Sequence, residues 1–423
     1  MLDRRFIRKN PEAVREGLKK KGVEFDLDGF LALDEKLRSL IRESDQLKAE
    51  KNRVSNEVSR LKKEGADITE IVSRMKSVSA RIKELDQEIK ELSEKLNILA
   101  LEIPNLPHES VPFGTSSEDN VIVRSWGEIK ELPFEPLSHW EIGEKLGILD
   151  LAAGSSLSGR GFIVFKNDGA LLTRALINFM LDVHREQGYE EMWVPFMVSR
   201  ECMIGTAQLP KLEDDMYLCE KDDLFLIPTA EVPLTNLNRE KILDASQLPI
   251  RYTAYTPCFR REAGSYGQET KGLIRVHQFD KVEMVKFTLP EESYNELEKL
   301  VEEATEVLER LEIPYRVIEL CTMDLSFGAA KCYDIETYAP ATDRWLEVSS
   351  CSNFEDFQAR RASIRFRRKK GEKPEFVHTL NGSGIALPRL IATILEQNQT
   401  PTGKVRIPKA LVEYMGGKEF LEA

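Results

Sequence analysis

A chain of 423 residues has room for two or three domains, and its 31% charged and 41% hydrophobic content is that of a water-exposed globular protein. No apolar run reaches the ~18 residues needed to span a bilayer, and the opening MLDRRFIRKN lacks the apolar segment of a secretory signal, so a cytoplasmic protein without membrane association is expected. The formal net charge of −12 excludes a globally basic nucleic-acid binder. It is unevenly spread, however: residues 1–100 hold 23 Lys+Arg against 20 Asp+Glu, and the remainder 37 against 52. A polyanion is therefore expected on the N-terminal part or in a local basic cleft of the acidic body. The six cysteines form no CxxC pair and have no histidine at ligand spacing, which predicts reduced thiols and no zinc.

Along the chain, Asn10-Pro11-Glu12 places a capping residue before a proline at the first helical position, predicting a short helix to about Lys21. Beyond a break over residues 22–29, Leu33, Leu37, Leu40, Ser44, Leu47, Lys51, Val54, Val58 and Leu61 follow at alternating steps of four and three. Ile71, Met75, Val78, Ile82, Leu85, Ile89, Leu92, Leu96 and Leu99 repeat the pattern. A 3.5-residue period held this long predicts two coiled-coil helices. Residues 64–67 between them leave room only for a reversal. An antiparallel hairpin over about residues 30–100 is expected, an arm of roughly 45 Å. It closes its own seam, so its outer faces meet water. Lys48, Lys51, Arg53, Arg60, Lys62, Lys63, Arg74, Lys76 and Arg81 gather there toward the tip, either simply solvated or laid out for a long polyanion.

Pro104, Pro107, Pro112 and Gly114 mark a linker over residues 104–119, which divides the chain into 1–103, the linker, and a body of 120–423. In the body, residues 170–187 read as a helix ended by Gly188, residues 189–198 as a strand broken at Pro195, and residues 223–233 as a strand with Thr229 and Glu231 on one face. Residues 256–283 read as a long-looped hairpin. Arg260 and Glu262 share a face of the outgoing strand, and Arg275, His277, Phe279, Lys281 and Glu283 share a face of the return. A helix over about 291–311, strands near 314–320, 332–338 and 344–352, and a last helix from about Gly384 complete an α+β domain with a mostly antiparallel sheet. Neither common glycine-rich phosphate loop is present, so a nucleotide would be held by side chains on a sheet. Alone, the alternating Arg and Glu of the hairpin fit a solvated face as well as a cleft. In a cleft, guanidinium forks would take phosphate or carboxylate, and Glu283 would accept from an ammonium or a hydroxyl.

Four segments recur in one order: the helix and strand ending at Pro195, the FRRE turn at 259–262, the strand WLEVSSCSNF at 345–354, and LNGSGIALPR at 380–389 opening a helix. This set resembles the three motifs of class II aminoacyl-tRNA synthetases. With GTAQLP (205–210), PTAEVPLT (228–235) and the coiled-coil arm, the chain over nearly its whole length resembles the bacterial type of seryl-tRNA synthetase. Ala207 stands where many relatives carry glycine, a departure that touches a loop and not the chemistry.

The resemblance implies an ATP- and Mg²⁺-dependent ligase that makes seryl-adenylate and pyrophosphate, then passes serine to the 3′ end of a serine tRNA and, where one exists, a selenocysteine tRNA. It implies Arg260 at the α-phosphate and Arg389 at the γ-phosphate as the catalytic cations. Glu262 meets the adenine amino group, Phe279 stacks on the base, and Arg275, Val276, Val348 and Ser349 line the nucleotide site. Glu347 and Ser350 ligate the metal. Thr229, Ala230, Glu231, Arg260, Glu283, Asn381 and Ser383 surround serine, with Glu283 and Ser383 reading its hydroxyl. A site built on such bonds rejects alanine by roughly 10⁴. The family further implies a homodimer formed largely by the helix and strand ending at Pro195, an arm that reads the tRNA's long variable arm, and a loop at 263–272 ordering over ATP and the acceptor end. His277, Cys258, Cys332 and Cys351 are expected to fill space. A non-catalytic RNA-binding relative would have lost Arg260, Glu262, Glu347 or Arg389. A relative that loads carrier proteins would lack the arm and carry a Cys/His cluster.

Overall fold

In the computed structural model, which describes residues 1–65, 67–263 and 271–423, the chain divides into two units. One holds Leu2–Lys19 and Val23–Pro104, the other Asn105–Ala423 together with Met1 and the turn Lys20–Gly22. Residues 264–270, most of the loop expected to order over ATP, lie outside the described residues.

The first unit is helical. Helix α1 (Arg4–Lys9), additional to the expected elements, starts where Asp3 accepts from the amides of Arg5 and Phe6. Helix α2 (Pro11–Lys20) begins at the expected proline. The arm is α3 (Leu27–Lys63), 37 residues and so about 55 Å long, and α4 (Thr69–Leu101). Asp26 caps α3 by accepting from Gly29 at 2.9 Å. Every seam position is buried or half-buried except Lys51. Pairs of rising and falling number cross the seam, as antiparallel helices require: Arg81 with Glu43 at 3.0 Å and Arg74 with Glu50 at 2.6 Å. Ser44 fits the seam because its hydroxyl donates to Asp86 at 3.1 Å.

The second unit is built on eight strands: β1 (Val121–Trp126), β2 (Glu190–Glu191), β3 (Ile250–Phe259), β4 (Gln278–Thr288), β5 (Tyr315–Glu319), β6 (Lys331–Ala339), β7 (Arg344–Asn353) and β8 (His378–Ala386). Their order is β1-β5-β6-β7-β8-β4-β3-β2, antiparallel except where β2 joins β3. Helices α5 (Asp168–Glu186), α6 (Glu231–Asn236), α7 (Ser293–Arg310) and α8 (Leu387–Gln397) complete the frame. Leu176, Met180, Leu300, Leu308, Leu390 and Ile394, from α5, α7 and α8, are buried in one cluster with Val282 and Met284 of β4 and Leu380 of β8. Because side chains alternate along a strand, Lys281, Glu283, Asn381 and Ser383 are turned to the other face.

Four expectations are corrected. Residues 189–198 form no single strand: only Glu190–Glu191 joins the main sheet as β2, and Met197–Ser199 pairs instead with Leu224–Leu226. The outgoing strand ends at Phe259 and the return strand begins at Gln278, so Arg260 and Glu262, like Arg275 and His277, lie in the connection between the strands. Glu231 opens helix α6 and is not in a strand; the preceding strand is only Leu224–Leu226. The last helix begins at Leu387, with Pro388 in its first turn, since residues 378–386 remain extended as β8. Asn381 and Ser383 are therefore strand residues. The NGSG spacing is a period-two pattern, with the polar side chains toward one face and the glycines toward the helices. A Cβ on Gly382 would meet Cys351 Sγ at 2.8 Å, and one on Gly384 would stand 2.2 Å from His184 Nε2.

On the helical side, β4 carries a fully buried Lys286. Its ammonium lies 3.1 Å from Glu296 and 2.8 Å from Glu303, both on α7. Desolvation works to raise the Glu296 carboxyl, but Lys299 and Lys286 outweigh it and bring it down to about 2. Replacing Lys286 by Met leaves these carboxylates without their buried cation. The expected loss is about 3 kcal/mol of unfolding free energy at pH 7, measured by urea titration; a loss below 1 kcal/mol would show the pair to be dispensable.

Candidate active site

Two joined clefts open on the face of the sheet away from α5 and α7, with the first turn of α8 in the wall of the smaller one. The smaller, about 110 Å³, is lined by Arg260, Glu262, residues 273–276, Phe279, Lys281, Glu347, Val348, Ser383, Ala386, Pro388 and Arg389. The larger, about 380 Å³, is lined by residues 206–208, Leu212, Asp215, Met216, Pro228, Thr229, Glu231, Arg260, Lys281, Glu283, residues 326–328, Glu347, Ser350, Ser352, Phe354, Asn381 and Ser383. Arg260, Lys281, Glu347 and Ser383 line both and so stand at the junction.

In the smaller cleft the guanidinium of Arg260 lies 5.2 Å from the ring centroid of Phe279, a cation and a flat aromatic face side by side. Arg275 Nη1 donates to Glu262 Oε2 at 3.3 Å. Glu262 takes φ 52°, and Ile385, buried in the core next to the lining residue Ala386, takes φ 92°; left-handed backbone at non-glycine residues is strain that collects at functional sites. Arg389, in the first turn of α8, donates to the carbonyls of Ile274 at 3.2 Å and Glu347 at 2.6 Å. Its Nη1 also lies 3.5 Å from the Glu347 carboxylate. Arg261 turns away, donating to Met216 O at 2.9 Å. His277 braces the turn: its Nδ1 lies 3.1 Å from Arg260 O and its ring packs 5.4 Å from Phe162.

In the larger cleft Thr229, Lys281 and Glu283 form a closed set. Lys281 Nζ is 2.6 Å from Glu283 Oε2 and donates to Thr229 Oγ1 at 3.0 Å, while Thr229 Oγ1 lies 3.1 Å from Glu283 Oε2. Glu231 accepts from Gln358 Nε2 at 2.5 Å. Burial, and then the charge of Glu283, push its carboxyl up to about 7, against the pull of Gln358, Lys281 and Arg260.

Two residues assigned by the resemblance line neither cleft. Ala230 is fully buried in an apolar cluster with Val285 and Phe287, and Ser349 is buried, donating to Ser383 O at 2.6 Å. Conversely, Lys281 lies on the expected face of the hairpin and lines both clefts, although the resemblance implies no role for it. Residues 326–328 carried no signal at all, because a Ser-Phe-Gly loop has no chemistry legible outside its fold.

Glu347 and Ser350 are three residues apart, a spacing that would put them on opposite faces of a regular strand. The register between β6 and β7 slips here, Ile335 opposite Ser349 but Glu336 opposite Glu347, leaving Val348 as the extra residue of a bulge. Both side chains therefore reach the larger cleft. Asp334 lies opposite Ser350 in β6, its carboxyl raised by burial and then by the charge of Glu347. Among the described residues no group of three or more His, Cys, Asp or Glu could hold a metal alone. Two oxygen ligands in an open cleft do suit Mg²⁺, which takes one or two protein ligands and completes its shell with phosphate and water. All six cysteines are free, and no described helix is long and apolar enough to cross a membrane.

Comparison with known proteins matches residues 1–107 to the seryl-tRNA synthetase N-terminal domain, and residues 215–398 to the tRNA synthetase class II core domain shared by the G, H, P, S and T enzymes. The chain is 54% identical over 420 residues to a serine–tRNA ligase of Citrifermentans bemidjiense, covering 99% of each. Among solved structures it resembles a seryl-tRNA synthetase from Pyrococcus horikoshii complexed with ATP, with a TM-score of 0.95, 40% identity and coverage of 100% and 99%. It also resembles a cytoplasmic serine–tRNA ligase from Naegleria fowleri in complex with AMP, with a TM-score of 0.87, 31% identity and coverage of 98% and 96%.

Glu231 yields a test of the site's electrostatics. Its folded-state pKa lies above the unfolded 4.5, so the stability it contributes is complete below pH 4.5 and is lost as pH rises through about 7. Relative to Glu231→Gln, the wild type is expected to lose roughly 3 kcal/mol over that window. Urea titrations at pH 4.5 and 7.5 measure this, and parallel profiles would refute it.

Proposed function

The chain belongs to the seryl-tRNA synthetase family, and we propose that its two joined clefts hold ATP and serine side by side for adenylate formation. It is a serine–tRNA ligase, joining serine to tRNA with ATP through the antiparallel core of a class II synthetase. The observation that carries the residue assignments is the shared set Arg260, Lys281, Glu347 and Ser383: only a reaction between occupants of both clefts needs side chains common to the two.

In this reading ATP takes the smaller cleft. Phe279 offers its face to the adenine, Glu262 accepts from the adenine amino group, and Arg275 and Val276 close the side. Arg389 meets the γ-phosphate. Serine takes the larger cleft, with Thr229, Glu231 and Glu283 around its ammonium and hydroxyl and Asn381 and Ser383 beside it. Its carboxylate oxygen attacks the α-phosphorus, a P–O bond forms, and the bond to the bridging oxygen breaks to release pyrophosphate. Arg260 at the junction is where charge builds, and it is already held by its contacts, so it stabilises the transition state without reorganisation. A 3′-terminal ribose hydroxyl then attacks the carbonyl and AMP leaves. Positioning carries both steps, because no enzyme nucleophile is required. Glu347 and Ser350 would hold Mg²⁺, which supplies charge neutralisation on the phosphates.

The coiled-coil hairpin is proposed to bind the serine tRNA, and a selenocysteine tRNA where one exists. Lys48, Lys51, Arg53, Arg60, Lys62, Lys63, Arg74 and Lys76 are exposed on it, suiting backbone and shape readout of RNA. A homodimer is proposed as well, supported by the apolar surface of Trp193, 78% exposed, and of the edge strand β1. The free thiols accord with a cytoplasmic setting.

Serine-dependent exchange of labelled pyrophosphate into ATP tests the reading directly. Exchange is expected with serine and to be at least about 100-fold weaker in kcat/KM with alanine or threonine; exchange driven better by another amino acid would end it. Excising residues 30–100 is expected to leave exchange within about threefold while lowering tRNA charging about 100-fold or more. Full charging by the shortened chain would remove the arm from the mechanism.

A further inference from the structure

The larger cleft has one wall whose backbone geometry needs an explanation. Ser326, Phe327 and Gly328 line it, and their carbonyls, with that of Ala329, are taken up by two residues from distant parts of the sequence. Lys21 Nζ donates to Ser326 O at 2.8 Å, to Phe327 O at 3.3 Å and to Ala329 O at 2.7 Å. Asn105 donates through its amide to Phe327 O at 3.0 Å, and through Nδ2 to Gly328 O at 3.0 Å and to Phe354 O at 2.9 Å. Phe354 is itself a lining residue of the same cleft.

Four successive carbonyls served from one side are four dipoles with their negative ends close together. A loop adopts that arrangement only where a cation or several donors face it. An ammonium has three donors and no acceptor, which matches three of these oxygens. Lys21 is 7% exposed. Burial pulls its pKa down to about 7, with the Cys332 thiol opposing, so holding the charge here does not favour the fold. What the buried cation supplies is a defined backbone path for the loop.

We propose that Lys21, assisted by Asn105, is a positioning residue for the amino-acid cleft, fixing residues 326–329 so that the wall formed by Ser326, Phe327 and Gly328 fits serine. This rests on the reading of the larger cleft as the serine site. The same loop does not line the nucleotide cleft, so the effect is selective for one substrate. Lys21 touches no substrate; it acts through the loop.

The test is steady-state pyrophosphate exchange with the full chain for the wild type, Lys21→Met, Asn105→Ala and the exposed control Lys19→Ala, alongside thermal melts. Lys21→Met and Asn105→Ala are each expected to raise KM for serine about tenfold, with KM for ATP within about threefold and Lys19→Ala at wild-type values. An unchanged serine KM in both variants, or serine and ATP constants rising together, would reduce the two residues to general structural support and overturn the proposal. If Lys21→Met fails to give a cooperative melt, Asn105→Ala decides by the same criterion. Failure of the wild type to show serine-dependent exchange would instead strike the assignment of the cleft. A normal wild type with unmoved variants would strike only the positioning role.

Discussion

Strand β4 is hydrogen-bonded along both edges, to β3 on one side and β8 on the other, and its alternation cannot be relaxed without moving both neighbours. Val282 and Met284 are locked into the core against the helices, so Phe279, Lys281 and Glu283 have only the cleft to enter. The same constraint passes to β8. There Gly382 and Gly384 face the helical side because Cys351, Leu300 and His184 leave no room for a Cβ, which turns Asn381 and Ser383 outward. Packing on one face of the sheet thus dictates chemistry on the other.

That arrangement gathers charge where water is scarce. Lys281 and Glu283 are 7% and 2% exposed as side chains and lie 2.6 Å apart, so neither can be left alone without an uncompensated buried charge. Glu231, beside them without a cation of its own, keeps its proton toward neutral pH. Fixed charges of both signs around one junction favour a reaction between two charged substrates, because the site's dipoles are set before either arrives. Glu262, in the smaller cleft, also takes left-handed backbone, so local strain and buried charge occur in one site.

Much of this is legible in the residues. The coiled-coil period requires no fold to be read, since its seam is periodic over two long runs, and the alternation of the return strand puts Phe279, Lys281 and Glu283 on the cleft face; Arg260 reaches the cleft from beyond the end of β3, where alternation no longer applies. Element ends were less legible. LNGSGIALPR reads as a helix start because Pro388 marks one, yet the alternation of Asn381 and Ser383 with glycines carries the strand to Ala386. The stretch around Thr229 reads as a strand by composition, while tertiary packing of Val232 and Leu234 makes Glu231 a helix opener. The wall at residues 326–328 was invisible because its position depends on Lys21 and Asn105, some 300 and 220 residues away, and no local pattern encodes such a contact.

The bulge in β7 has a consequence for how this strand can vary. Glu347 lies on one side of Val348 and Ser350 on the other, and each half is held in its own register by β6. Removing one residue would restore a regular strand and swing one half's side chains through to the opposite face; adding one would also reverse one half's facing, by enlarging the bulge. Over residues 345–352 the shared facing of Glu347 and Ser350 therefore depends on chain length as much as on side-chain identity.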